Sequence, residues 1–183
     1  MLKKIFIVVL ILVAALLAYA AFQPDSFHVE RSLSIQAPPE KIFPLVNELP
    51  SWKHWSPYEK KDPAMKRIYT GPSSGKGAGY EWSGDGNVGK GRMEITESVP
   101  FTKVLIDLRF VEPFEAHNTA SFDFVPQGAL TQVTWSIDGP VPYFSKLLSL
   151  FIDMDDMIGG DFEKGLKDLK AMAEQRATGI PTN

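Results

Sequence analysis

Between Met65 and Asp138 the sequence falls into six short segments: Met65–Thr70, Gly79–Ser83, Gly89–Glu97, Thr102–Phe110, Ala116–Val125 and Leu130–Asp138. Each is bounded by a turn containing Gly, Pro or Asn. In the longer segments apolar and polar residues alternate, the period of a strand with one face buried. In Thr102–Phe110, for example, Val104, Ile106, Leu108 and Phe110 share one parity, and Lys103, Asp107 and Arg109 share the other. Neighbouring strands of this kind have one apolar face, and that face must be covered. The cover follows directly. From Pro142 to Arg176, Leu147, Leu150, Phe151, Met154, Ile158, Phe162, Leu166, Leu169 and Ala173 recur at helical spacing, which predicts one long amphipathic helix. Ahead of the run, Phe27–Ile35 alternates as a further strand. Ala37-Pro38-Pro39-Glu40 then opens a short helix whose apolar face is Ile42, Phe43, Leu45 and Val46, and Pro44 limits it to about two turns. The order predicts an α+β domain with one curved antiparallel sheet of about six to seven strands, two short helices and a long C-terminal helix on one face.

The N-terminus lies outside this scheme. Ile5 to Phe22 (IFIVVLILVAALLAYAAF) is 18 residues without a charge, Pro or Gly. As a helix it covers about 27 Å, close to the bilayer core. Lys3 and Lys4 precede it, and Asp25 and Glu30 follow it. By the positive-inside rule the N-terminus is cytoplasmic and the domain is outside, in the periplasm if the source is bacterial. Ala18-Tyr19-Ala20 has the small-x-small form of a signal-peptidase site, so secretion after cleavage is the alternative. The apolar run exceeds the roughly 7–15 residues of a signal core, which favours an anchor. Residues 1–24 are thus expected to be a transmembrane anchor or signal segment, and residues 25–183 one domain.

Composition excludes several functions. There is no cysteine, so disulfides, thiolate catalysis and Cys-based metal sites are ruled out. Beyond residue 24 there are 17 basic and 22 acidic side chains, a net of −5. Nucleic acid is therefore not an expected partner, since it requires a basic face. His28, His54 and His117 are far apart and form no zinc spacing, so no metal is expected. Asp153, Asp155 and Asp156 do not begin a calcium loop, because the positions that need Gly and Glu are Ile158 and Lys164. Gly71–Gly79 (GPSSGKGAG) is Gly-rich but lacks the spacing of a phosphate loop. No cofactor is implied.

Ser34-Ile35-Gln36-Ala37-Pro38-Pro39-Glu40-Lys41-Ile42-Phe43 and Trp52-Lys53-His54-Trp55-Ser56-Pro57 carry a resemblance, joined by Gly71-Pro72, Val133-Thr134-Trp135-Ser136 and the closing helix. Together they resemble the polyketide cyclase/dehydrase-like branch of the START-like (SRPBCC) superfamily over about residues 27–175. The resemblance implies a helix-grip fold, with a cavity between the concave face of the sheet and the C-terminal helix. The superfamily spans lipid and sterol carriers, hormone receptors, cyclases and co-chaperone activators. The apolar N-terminal segment departs from most soluble relatives.

Given that fold, strand parity names the inward residues. They are almost wholly apolar, with Asn118 the one clear polar member. The residues expected to contact a ligand are Trp55, Trp82, Met93, Ile106, Leu108, Asn118, Phe122, Trp135, Met154 and Ile158. The alternative is that these side chains simply fill a solid core. No inward acid–base pair is found on the strands, which weighs against an enzyme. Asp156 or Asp161 could reach the cavity mouth from the last helix. Gly159 and Gly160 in that helix imply a bend or a close approach near the site. Trp52 and Trp55 either seal the short helices onto the sheet or line the entrance. The leading expectation is a membrane-tethered domain that binds a hydrophobic small molecule or lipid. The alternatives are a cyclase or dehydratase-like enzyme, whose catalytic residues this reading does not identify, and a non-catalytic interaction module with a filled core.

Overall fold

The computed structural model of the protein describes residues 2–148 and 154–178. Helix α1 (Leu2–Ala21) is apolar from Ile5 onward and almost wholly exposed, with Ala20 its one buried residue. It is long and apolar enough to cross a membrane. The four residues 22–25 lead from it into strand β1 (Ser26–Ile35). Helix α2 (Pro39–Asn47) begins after an extended Pro38, with Pro39 at a position where a missing N–H costs nothing. Ile42, Phe43, Leu45 and Val46 are its buried face, as the sequence predicts. A 3₁₀ turn (Leu49–His54) and the short helix α3 (Pro57–Lys61) complete the first crossover.

Strands β2 (Lys66–Thr70), β3 (Gly79–Ser83), β4 (Lys90–Val99), β5 (Lys103–Glu112), β6 (Ala116–Gln127) and β7 (Leu130–Pro140) follow. All six expected segments are strands. With β1 they form one seven-stranded antiparallel sheet in the order β1-β7-β6-β5-β4-β3-β2. Register shifts at Lys90/Gly91 and Ile95/Glu97 in β4 add local twist and help curve the sheet. The inward parity holds: Val104 and Ile106 of β5, Phe122 and Phe124 of β6, and Val133 and Trp135 of β7 are buried.

In the segment expected to be one helix, Pro142–Arg176, the described residues form α4 (Tyr143–Leu148) and α5 (Met154–Thr178). Leu150 and Phe151, expected on its apolar face, lie outside the described residues. Phe162, Leu166, Leu169 and Ala173 of α5 are buried against the sheet and α2. Helix α4 instead packs beside α1.

Two of the glycines in α5 mark close approaches. A Cβ on Gly165 would lie 2.7 Å from the Trp135 ring and 2.9 Å from Pro57. A Cβ on Gly159 would strike the Arg31 guanidinium, which is bonded to Asp155 at 2.7 Å. Nothing in the structure explains Gly160, whose Cβ would meet open space.

Candidate functional site

One end of the sheet's concave face is filled and the other is hollow. At the filled end, Trp55 is fully buried among Trp52, Phe122 and Trp135. The Trp52 and Trp55 ring N–H groups donate to the Val46 and Leu45 carbonyls at 2.8 and 2.9 Å. Each indole therefore has apolar surroundings for its ring and a backbone partner for its donor. The pair ties α2 to the sheet, the sealing role.

Beyond this plug lies a cavity of about 750 Å³ between the sheet, α3 and the start of α5. Of the expected ligand contacts, Trp82, Met93, Ile106, Leu108, Asn118, Trp135 and Ile158 line it. Trp55 and Phe122 do not. Both are wholly buried in the plug, where α2 and the 3₁₀ turn supply large side chains opposite them. Met154 opens α5, but its side chain lies outside the described residues. Trp135 separates the two ends, stacked on Phe162 of α5 with ring centroids 4.0 Å apart. The Trp82 ring N–H donates to the Val88 carbonyl at 3.0 Å, which fixes its indole as a wall.

Asn118 is 6% exposed and lines the cavity. Its side chain makes no hydrogen bond among the described residues. Gly139 on β7 leaves the space its amide occupies, since a Cβ there would strike Asn118 Oδ1.

The wall is less apolar than strand parity implies, which corrects the reading of Asn118 as the one clear polar member. Tyr58, Glu59 and Lys61 of α3, Tyr80 of β3 and Asp161 of α5 also line it. Glu59 is buried, and both its oxygens are engaged: Tyr80 Oη donates at 2.6 Å and Arg67 Nε at 2.7 Å. Burial, and then the Glu59 carboxylate, push the Tyr80 phenol well above its usual range, so it stays protonated and keeps donating. Burial, with the Asp161 charge, does the same to Tyr58. Lys61 pairs with Asp161 and sits 5.0 Å over the Tyr58 ring. Asp161 thus does reach the cavity. Sequence reasoning missed the α3 residues because five residues are too few for a period, and PYEKK reads as solvated charge.

The histidines stand apart. His28 bonds to Asp138 at 2.7 Å and His117 to Asp107 at 2.9 Å, both on the outer face of the sheet. His54 is exposed at the end of the 3₁₀ turn. Among the described residues no group of His, Asp and Glu is arranged to hold a metal ion.

Residues 26–174 match the family model described as polyketide cyclase / dehydrase and lipid transport. The chain belongs to this family. No curated protein matches the sequence. Among solved structures, a Chromobacterium violaceum protein superposes with a TM-score of 0.57 at 15% identity, covering 83% of this chain and 99% of that one. A Thermus thermophilus protein gives 0.58 at 18% identity, covering 82% and 99%. The di-domain ARO/CYC StfQ of the steffimycin biosynthetic pathway gives 0.62 at 12% identity, covering 84% of this chain and 52% of that one. At these identities the likeness is one of fold. The helix-grip architecture is shared, and the cavity occupies the space between sheet and helix in this polyketide cyclase/dehydrase and lipid transport family member.

Proposed function

We propose that the protein is a membrane-tethered carrier that holds a hydrophobic small molecule or lipid in the cavity between the sheet and α5. The observation that carries the reading is a hollow of about 750 Å³, lined mainly by apolar side chains, with an unpaired carboxamide in its wall. That volume suits a small-molecule ligand and disfavours a module that acts only through its surface. Apolar ligand surface leaving water contributes about 25 cal/mol per Å², before the cost of association is subtracted. An amide both donates and accepts, so Asn118 takes a hydroxyl or carbonyl of the ligand. Trp82, Met93, Ile106, Leu108, Trp135 and Ile158 are assigned the apolar contacts. Helix α1 is assigned the anchor, with residues 1–24 as the membrane segment and the domain on the outer side.

Native mass spectrometry of the full chain released from nanodiscs tests this. The expected spectrum carries a small apolar adduct. Ala116→Trp, which fills the hollow end, should lose the adduct while keeping its unfolding midpoint. A bare polypeptide mass for the unsubstituted chain, with no apolar probe bound on addition, would overturn the proposal.

A second reading, acid–base chemistry on an apolar substrate, draws on the Tyr80–Glu59 pair in the same wall. It is disfavoured by the engagement of both Glu59 oxygens, each already accepting from a neighbouring side chain. Turnover of a bound ligand that is lost in Glu59→Gln would reinstate it.

A further inference from the structure

The mouth of the cavity and the end of α1 are tied to one short stretch of chain. The Tyr143 hydroxyl donates to the Leu17 carbonyl of α1 at 2.7 Å. The Val141 N–H donates to the Asp25 carbonyl at 2.8 Å. Lys146 Nζ is buried, donates to the Gln23 carbonyl at 2.8 Å and pairs with the Asp25 carboxylate. A buried ammonium with these partners fixes α4 against the linker that leaves α1, and moving them apart would strand its charge. Leu17 lies about one helical turn inside the end of α1, roughly 6 Å at 1.5 Å per residue. Tyr143 therefore sits level with the outermost turn of the apolar helix.

The same stretch forms one lip of the cavity, since Val141, Pro142 and Ser145 line it. Phe114, in the β5–β6 turn, and Met157, in the first turn of α5, also line the cavity and reach solvent. These two side chains are 71% and 57% exposed, a costly arrangement in water for residues that border an apolar hollow. At a bilayer surface the cost becomes a gain, because apolar side chains insert into the headgroup boundary.

We infer that the α1–α4 clamp holds the cavity mouth against the bilayer that α1 enters, so that ligand passes between the membrane and the cavity without crossing water. The inference rests on the carrier reading for what moves, and on α1 as a membrane span for where. The occupant of the rim is the lipid surface itself. The Phe114 and Met157 side chains enter it, and Glu115, which also lines the mouth, stays at headgroup level.

The absence of cysteine permits a direct test on the full chain in nanodiscs. Single substitutions Phe114→Cys, Met157→Cys, Leu12→Cys and Val125→Cys receive an environment-sensitive fluorophore. Quenching by nitroxide-bearing lipid is compared with quenching by aqueous iodide. Val125 is exposed near the far end of β6, about 30 Å from Ala116 at strand rise. The expected result is loss of most emission to lipid quencher at Phe114, Met157 and Leu12, and to iodide alone at Val125. If Leu12 responds to lipid while Phe114 and Met157 behave like Val125, the mouth faces water and the inference is overturned with the anchor intact. If Leu12 also ignores lipid, the membrane reading fails and takes this one with it. Shielding of Phe114 from both quenchers would assign the rim to a protein partner, which also overturns it. None of these readings depends on a bound ligand, so the carrier proposal stands or falls separately by mass spectrometry.

Discussion

The two ends of the sheet use the same strands and differ in what meets them. At the α2 end, Val104, Phe122, Phe124 and Val133 are sealed beneath Phe43, Trp52 and Trp55. At the α4 end, the same strands present Leu108, Phe110, Ala116 and Asn118 to open space. Strand β6 contains the whole change, its inward side chains running Ala116, Asn118, Ala120, Phe122, Phe124. Large residues meet a large-residue layer at one end, and small ones leave room at the other. The contrast teaches that stability and hosting are assigned to opposite ends of single strands, so equal truncations should cost unequal amounts.

The strongest challenge to the contrast is Trp55→Ala. It deletes a fully buried ring and leaves the Leu45 carbonyl without its donor, so a loss of about 3–5 kcal/mol is expected in urea unfolding. A loss near that for a surface site would break the comparison. Asn118→Leu at the hollow end should change stability by no more than about 1 kcal/mol, because the amide borders open space and gives up no hydrogen bond within the protein. The same variant should bind alcohols and plain hydrocarbons of equal size alike, as competition binding would show. Phe110→Ala sharpens the contrast further. Its ring already borders a void, so the expected loss is about 1 kcal/mol, read from the same unfolding curves.

The smallest effect belongs to the outer face, which serves as the reference for both ends. The Arg109 guanidinium bonds both oxygens of Asp107, at 2.8 and 3.1 Å, and His117 adds a bond at 2.9 Å. Together they hold the Asp107 carboxyl down to about 2, below its ordinary 3.8. A depressed folded value means the stabilisation is complete above the unfolded value and is lost as pH falls from about 4 towards 2. Solvent screening keeps the contribution below about 1 kcal/mol. Asp107→Asn should remove that increment of acid sensitivity and leave ligand retention unchanged, as unfolding midpoints across the interval would show.

Much of this was legible in the sequence. Parity identified the strand-borne wall residues Trp82, Met93, Ile106, Leu108, Asn118 and Trp135, because a period of two assigns each side chain to a face. Parity is silent on depth. It places Phe122 and Ala120 alike, whereas the structure puts only Ala120 at the cavity, with Phe122 beneath the tryptophan plug. The size gradient along β6 was the available signal. Glu59 was hidden for a different reason. Its burial depends on Arg67 and Tyr80, brought to it by chain reversal between α3, β2 and β3, which local spacing does not encode. The packing of α4 on α1 was hidden likewise, a contact across more than a hundred positions of chain.

The space that Gly139 leaves for the Asn118 amide couples two codons. Any side chain at 139 lands on that amide and on the Phe27 ring, 2.7 Å away. In a library randomised at both positions and sorted for ligand retention, asparagine at 118 should survive only alongside glycine at 139. Clones with alanine at 139 should emerge only where 118 has become smaller. The pair would then report, by covariation alone, whether the cargo offers a polar atom to that wall.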